Sequence, residues 1–171
     1  GDKRLGALDR RLKQNSLEID IAAGKPLDVL VENMGRINFG PRLIDDRKGI
    51  MGKVKLGDQE LSGWDVFRLP MADLSPLRFK KQPEANTVFY RGSLDLSSVG
   101  DTFLDMSTWE KGHVWVNGHH LGRFWKIGPQ QTLFVPGTWL KKGNNQVVVL
   151  DVGTPKSTSL RGVKDLIFAN Y

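Results

Sequence analysis

Apolar and polar residues alternate with a period of two along most of this chain, and the wider spacing of an amphipathic helix is nearly absent. That pattern restricts the fold to layered sheets, because a period-two segment buries its apolar face only when another layer covers it. Residues 17–21 read Leu-Glu-Ile-Asp-Ile, and after the break at Gly24-Lys25-Pro26 residues 27–31 read Leu-Asp-Val-Leu-Val. Further strands are predicted at 52–56, 88–96, 102–106, 113–117, 121–125, 132–135, 146–151 and 166–168, with Gly, Asn, Asp and Pro between them. About ten short strands broken in this way predict an all-β chain of sandwich or jelly-roll layers. The sharpest local signal is Asn117-Gly118 between two β-rich runs. Both central residues of a type I′ turn need positive φ, and these two adopt it at little cost, so 113–122 reads as a hairpin.

The two ends of the sequence resemble each other weakly. Gly1-Asp2-Lys3-Arg4-Leu5-Gly6 aligns with Asn117-Gly118-His119-His120-Leu121-Gly122, and the same offset places Leu17 on Leu133 and Ile19 on Val135. After a short shift Gly24 falls on Gly143 and 27–31 falls on 146–150. Two related sandwich modules are expected. The first lacks a counterpart to the strand at 113–116, so Gly1 is expected to sit inside a hairpin, with strands from elsewhere completing that module.

The chain has 171 residues, 39% of them hydrophobic, enough for one domain or two small ones. It contains no cysteine, which excludes disulfides, thiolate zinc sites and cysteine nucleophiles. No apolar run approaches the roughly 20 residues of a membrane span, and no membrane partner is expected. The net charge of +6 is scattered over Arg10-Arg11 with Lys13, Lys80-Lys81 and Lys141-Lys142. Such short runs beside turns read as solvated loops, and no nucleic-acid partner is expected. His113, His119 and His120 have no carboxylate or cysteine at ligand spacing, and no metal site is expected. The run Asp45-Asp46-Arg47-Lys48-Gly49 neutralises itself, lacks the EF-hand pattern and reads as a structural loop.

The segments TFLDMSTWEKGHVWVNGHHLGRFWKIGPQQTLFVPGTWLKKGNNQVVVLD (102–151) and LDVLVENMGRINFGPRLIDDRKGI (27–50) resemble glycoside hydrolase family 35, the β-galactosidases. The resemblance implies a jelly-roll, galactose-binding-domain-like β-sandwich at 71–171. Before it, 1–70 would be the incomplete end of a first, related β-domain with its linker. It implies a parent enzyme that hydrolyses terminal β-galactosides with retention, using two glutamates on a (β/α)8 barrel. Such chemistry needs two carboxyls about 5 to 5.5 Å apart, one attacking and one protonating the leaving oxygen. Glu18, Glu32, Glu60, Glu84 and Glu110 match no catalytic motif of the family, so no catalytic residue and no cofactor carry over.

The expected role is a non-catalytic accessory region, with the catalytic barrel and the missing first-domain strands as its partners. The alternative is an autonomous galactose-binding module. The resemblance favours a secreted or periplasmic setting. Of the five tryptophans, Trp64, Trp109, Trp115, Trp125 and Trp139, most are expected in the core. Alternation places Val114 and Val116 on one face and His113, Trp115 and Asn117 on the other. Loops at one rim of a jelly roll commonly carry its ligand site, so Arg123, Trp125 and Gln130, with Trp115, are the candidates for sugar contact. Arg36, in the turn-rich segment 33–40, is a candidate to pair with a carboxylate across a domain interface, with solvent exposure as the equal alternative.

Overall fold

The computed structural model of the protein describes residues 3–33, 35, 37–81 and 88–169. Gly1, Asp2, Arg36 and Glu84, named above, lie outside the described residues. By residue contacts the chain divides into two units. One is Asp20–Ala72, and the other joins the residues up to Ile19 to those from Asp73 onward.

The larger unit is a sandwich of two antiparallel sheets. Its strands are β3 (Val88–Leu96), β4 (Thr102–Asp105), β5 (Lys111–Val116), β6 (His119–Trp125), β7 (Thr132–Val135), β8 (Gly143–Asp151) and β9 (Gly162–Val163). One sheet runs β3-β8-β5-β6 and the other β7-β4-β9. Between them Leu104, Met106, Trp109, Val114, Val116, Phe124, Val135, Val147 and Val149 form the buried core. Trp109 is its largest member, edge-on to Tyr90 and Phe124, with its indole N–H donated to the Ser159 carbonyl at 3.1 Å.

Turn chemistry fixes the register. Asn117 and Gly118 have φ of 49° and 84°, so the β5–β6 hairpin closes through the left-handed conformations its sequence favours. The Asn117 amide then ties the turn to β8 and to the segment before it. Its Nδ2 donates to the Trp139 carbonyl and to Asn145 Oδ1, both at 2.8 Å, and its Oδ1 accepts from the Gln146 N–H. At the other end of the sheet the fully buried Asp151 carboxylate accepts from the Glu110 and Gly153 N–H groups at 2.9 and 2.7 Å. In the second sheet Asp105 binds Arg161 and caps Ser107. Burial pushes its carboxyl pKa up, but the Ser107 and Arg161 hydrogen bonds outweigh burial and hold it below the ordinary carboxylate value.

The smaller unit is differently built. Within it β1 (Lys55–Leu56) and β2 (Gln59–Glu60) pair around Gly57-Asp58, and no residue from Asp20 to Ala72 is buried among those described. The strands expected at 17–21 and 27–31 enter no ladder among the described residues. Alternation makes a segment ready to pair, but pairing needs an adjacent edge. The strand expected at 166–168 is reduced to a single bridge from Phe168 to Gln130, and the third strand of the second sheet is β9 instead.

Candidate functional site

The outer face of the four-stranded sheet gathers most of the chemistry-bearing side chains. In β5, Gly112, Val114 and Val116 point into the sandwich, which turns Lys111, His113 and Trp115 outward. Cross-strand pairing then sets Trp125 opposite Lys111, Arg123 opposite His113 and, past an irregularity after Val114, His120 opposite Trp115. On the other side β8 contributes Val148 and Leu150, and β3 contributes Phe89 and Arg91.

This face is largely covered. Trp115, Val148 and Leu150 retain 4%, 6% and 8% exposure although they point away from the core. Trp115 packs among rings: Phe89 at 6.2 Å, His113 at 6.1 Å and His120 at 4.9 Å between centroids. The Arg91 guanidinium sits over the Phe79 ring at 4.5 Å. Trp125 holds two cations, Lys111 Nζ at 4.0 Å and Arg11 Cζ at 4.2 Å from its centroid. Arg11 is positioned by Asp9, whose carboxylate takes its backbone N–H and its guanidinium. Arg4 donates to the Val152 carbonyl at 3.0 Å, so residues near the start of the chain lie along this sheet.

The structure thus brings Trp115, Arg123 and Trp125 onto one face and puts Gln130 elsewhere. Gln130 lies in the loop after β6, where its amide donates to the Thr132 carbonyl at 2.5 Å. That loop is held by Gln131, which donates its backbone N–H to the Ile167 carbonyl and its side-chain amide to Lys126. Of the remaining tryptophans, Trp109 is in the core, Trp139 stacks on His119 at 4.6 Å, and Trp64 belongs to the smaller unit. In the loop 45–49, Asp46 pairs with Lys48 at 3.1 Å, and Lys48 reaches the Gly35 carbonyl, a locally closed structural arrangement.

Sequence reasoning missed the meeting of His113 and His120, whose Nδ1 and Nε2 stand 3.0 Å apart. They meet diagonally, because His120 stands opposite Trp115 and, past the irregularity after Val114, His113 stands opposite Arg123; the Asn-Gly turn signals only the first of these pairings. Burial lowers the His120 pKa, against a backbone hydrogen bond at Gly122 that raises it. Among the described residues no three His, Cys, Asp or Glu side chains form a group able to hold a metal ion.

Two family models match the chain. The one described as the first all-beta domain of β-galactosidase covers residues 1–70, and the one described as the β-galactosidase galactose-binding domain covers 87–145. The chain is 46% identical over 133 residues to a β-galactosidase of Xanthomonas manihotis, covering 77% of this chain and 22% of that protein. It is 45% identical over 133 residues to the human β-galactosidase-1-like protein 2, covering 73% and 21%. With the bovine β-galactosidase the identity is 38% over 161 residues, covering 80% and 24%. The chain therefore spans about a fifth to a quarter of the curated relatives it matches.

Proposed function

The chain belongs to the β-galactosidases through their all-β domains, and from that premise we propose that it is a non-catalytic accessory region that packs against the catalytic barrel of a parent enzyme. The parent hydrolyses terminal β-galactosides with retention, and this region supplies structure rather than reacting groups. The observation that carries the reading is the smaller unit, Asp20–Ala72. It buries no described residue, yet it displays Phe39 and Ile44 at 90% exposure, Val66 at 84% and Phe67 at 82%. Apolar side chains so exposed, in a segment with so little core of its own, fit a surface that another layer covers. Residues 27–31 add to this, because Val29, Leu30 and Val31 are exposed in a strand-ready segment that enters no ladder among the described residues. First-domain strands of the parent would supply the missing edge.

The outer sheet face bears on the alternative, an autonomous galactose-binding module. A sugar platform needs an open aromatic face, whereas Trp115 is buried under its neighbours and Trp125 already carries Lys111 and Arg11. Calorimetric titration of the chain with galactose and lactose at millimolar concentration is expected to give no saturable heat. Saturable binding that Trp125→Ala abolishes would establish the sugar-binding reading instead, with Arg123, Trp125 and Trp115 as its contacts.

A further inference from the structure

Two imidazoles on neighbouring strands share a contact that is satisfied only when one proton lies between the two facing nitrogens. His113 Nδ1 and His120 Nε2 lie 3.0 Å apart, with ring centroids 5.2 Å apart. One nitrogen must donate and the other accept, since two facing N–H groups repel and two facing lone pairs leave the contact unbonded. Both rings also touch Trp115, which is itself buried. We infer that His113 and His120 form a proton-sharing couple that holds the outer face of the β5–β6 hairpin against Trp115, and that a second proton separates the rings and loosens that face.

The surroundings favour this behaviour. On the sheet positions around the couple stand Lys111 from β5, Arg123 from β6 and Arg91 from β3, all cationic. The nearest positions of β8 are the apolar Val148 and Leu150. His119, also on β6, stacks on Trp139. Asp95, at the far end of β3, is the one carboxylate of β3 whose position alternates onto this face. The segment near the start of the chain brings Arg11 with Asp9 to Trp125, and Arg4 to Val152. A second positive charge on the couple therefore meets like charges on three strands. β6 is also the edge of its sheet, where an opening costs the fewest neighbours.

The lowered pKa of His120 gives the direction. The folded protein binds this proton less readily than the unfolded chain. Its stabilising contribution is complete above the ordinary histidine value of about 6.5 and declines as pH falls from there towards the folded-state value. The lowered carboxyls of Asp9, Asp73 and Asp105 act at distinctly lower pH, below the ordinary value of about 3.9.

The chain has three histidines, so their ring protons can be followed individually by NMR from about pH 8 to pH 5, together with tryptophan emission. In the parent chain His113 and His120 are expected to titrate as a pair in two separated steps, with a change in tryptophan emission on the second. His113→Phe keeps a ring against Trp115 and removes the partner nitrogen. It is expected to leave His120 a single step at higher pH and to remove the emission change. His120→Phe gives the mirror measurement on His113 if the first variant folds poorly. A single His120 step at the same pH with and without His113 would overturn the inference.

Discussion

Gly112→Ala is expected to leave no folded sandwich. Gly112 points into the core from β5, between Asp151 of β8 and Phe124 of β6. A Cβ added there would overlap the Leu150 carbonyl oxygen, with the Leu150 carbonyl carbon at 2.8 Å and Phe124 Cζ at 3.1 Å. An overpacked core normally loses about 1–3 kcal/mol, because side chains move aside. Here the obstruction is backbone of the central strand, which can move only by giving up the β5–β8 ladder. That loss is comparable with the whole stability of a domain, about 5–15 kcal/mol. The variant is expected to show no cooperative thermal transition and no near-ultraviolet circular dichroism. Gly92→Ala is the control, since a Cβ there meets nothing within 4 Å. It is expected to stay within about 1 kcal/mol of the parent chain. A cooperative transition in Gly112→Ala near that of Gly92→Ala would contradict the packing described.

Asn145→Ala should be the most damaging change to a polar side chain. Asn145 has no exposed surface, and its amide is saturated. Oδ1 accepts from the Lys141 N–H and from Asn117 Nδ2, both at 2.8 Å. Nδ2 donates to the Lys141 and Gly143 carbonyls at 2.7 and 2.9 Å. Alanine would strand these partners together, and each buried orphan costs about 1–3 kcal/mol. Because the groups share one network the costs do not simply add, and a net loss of about 3–5 kcal/mol is expected. In urea the unfolding midpoint should fall with an unchanged slope. A loss under about 1 kcal/mol would show that water replaces the amide and that the network does not hold the hairpin turn to β8.

Much of the sandwich is legible in the sequence where turn residues frame a period-two run. The expected strands at 88–96 and 132–135 coincide with β3 and β7, and the Asn117-Gly118 hairpin forms as its φ preferences demand. Elsewhere tertiary structure overrides local preference. Asn144 and Asn145 read as turn residues, yet β8 starts at Gly143, because the sandwich supplies partners for a buried amide at Asn145. In the smaller unit the period-two pattern at 27–31 is clear, yet it enters no strand ladder among the described residues, since a sequence pattern cannot supply a neighbouring edge.

The outer face was partly legible too. Alternation alone separates His113 and Trp115 from Val114 and Val116. Val147-Val148-Val149-Leu150 breaks alternation with four apolar residues, the signal that both faces of β8 are covered. What covers that face involves Arg11 and Phe79, remote in sequence from the strands they touch, and no local rule reaches across such separations. The His113–His120 contact depends on a register irregularity after Val114, which period-two reasoning also misses.

The central claim is that this region serves its parent by packing, through the exposed apolar residues of Asp20–Ala72. It can be measured in a β-galactosidase such as that of Xanthomonas manihotis, with the matching region replaced by this chain. Phe39→Glu with Ile44→Glu changes two side chains that are 90% exposed, so the transition of the isolated chain is expected to stay where it was. In the whole enzyme the same pair of substitutions is expected to lower the thermal midpoint and shorten the lifetime of galactoside hydrolysis, because two charges would be forced into a covered apolar contact. A substituted whole enzyme as stable and as active as the unsubstituted one would contradict the account.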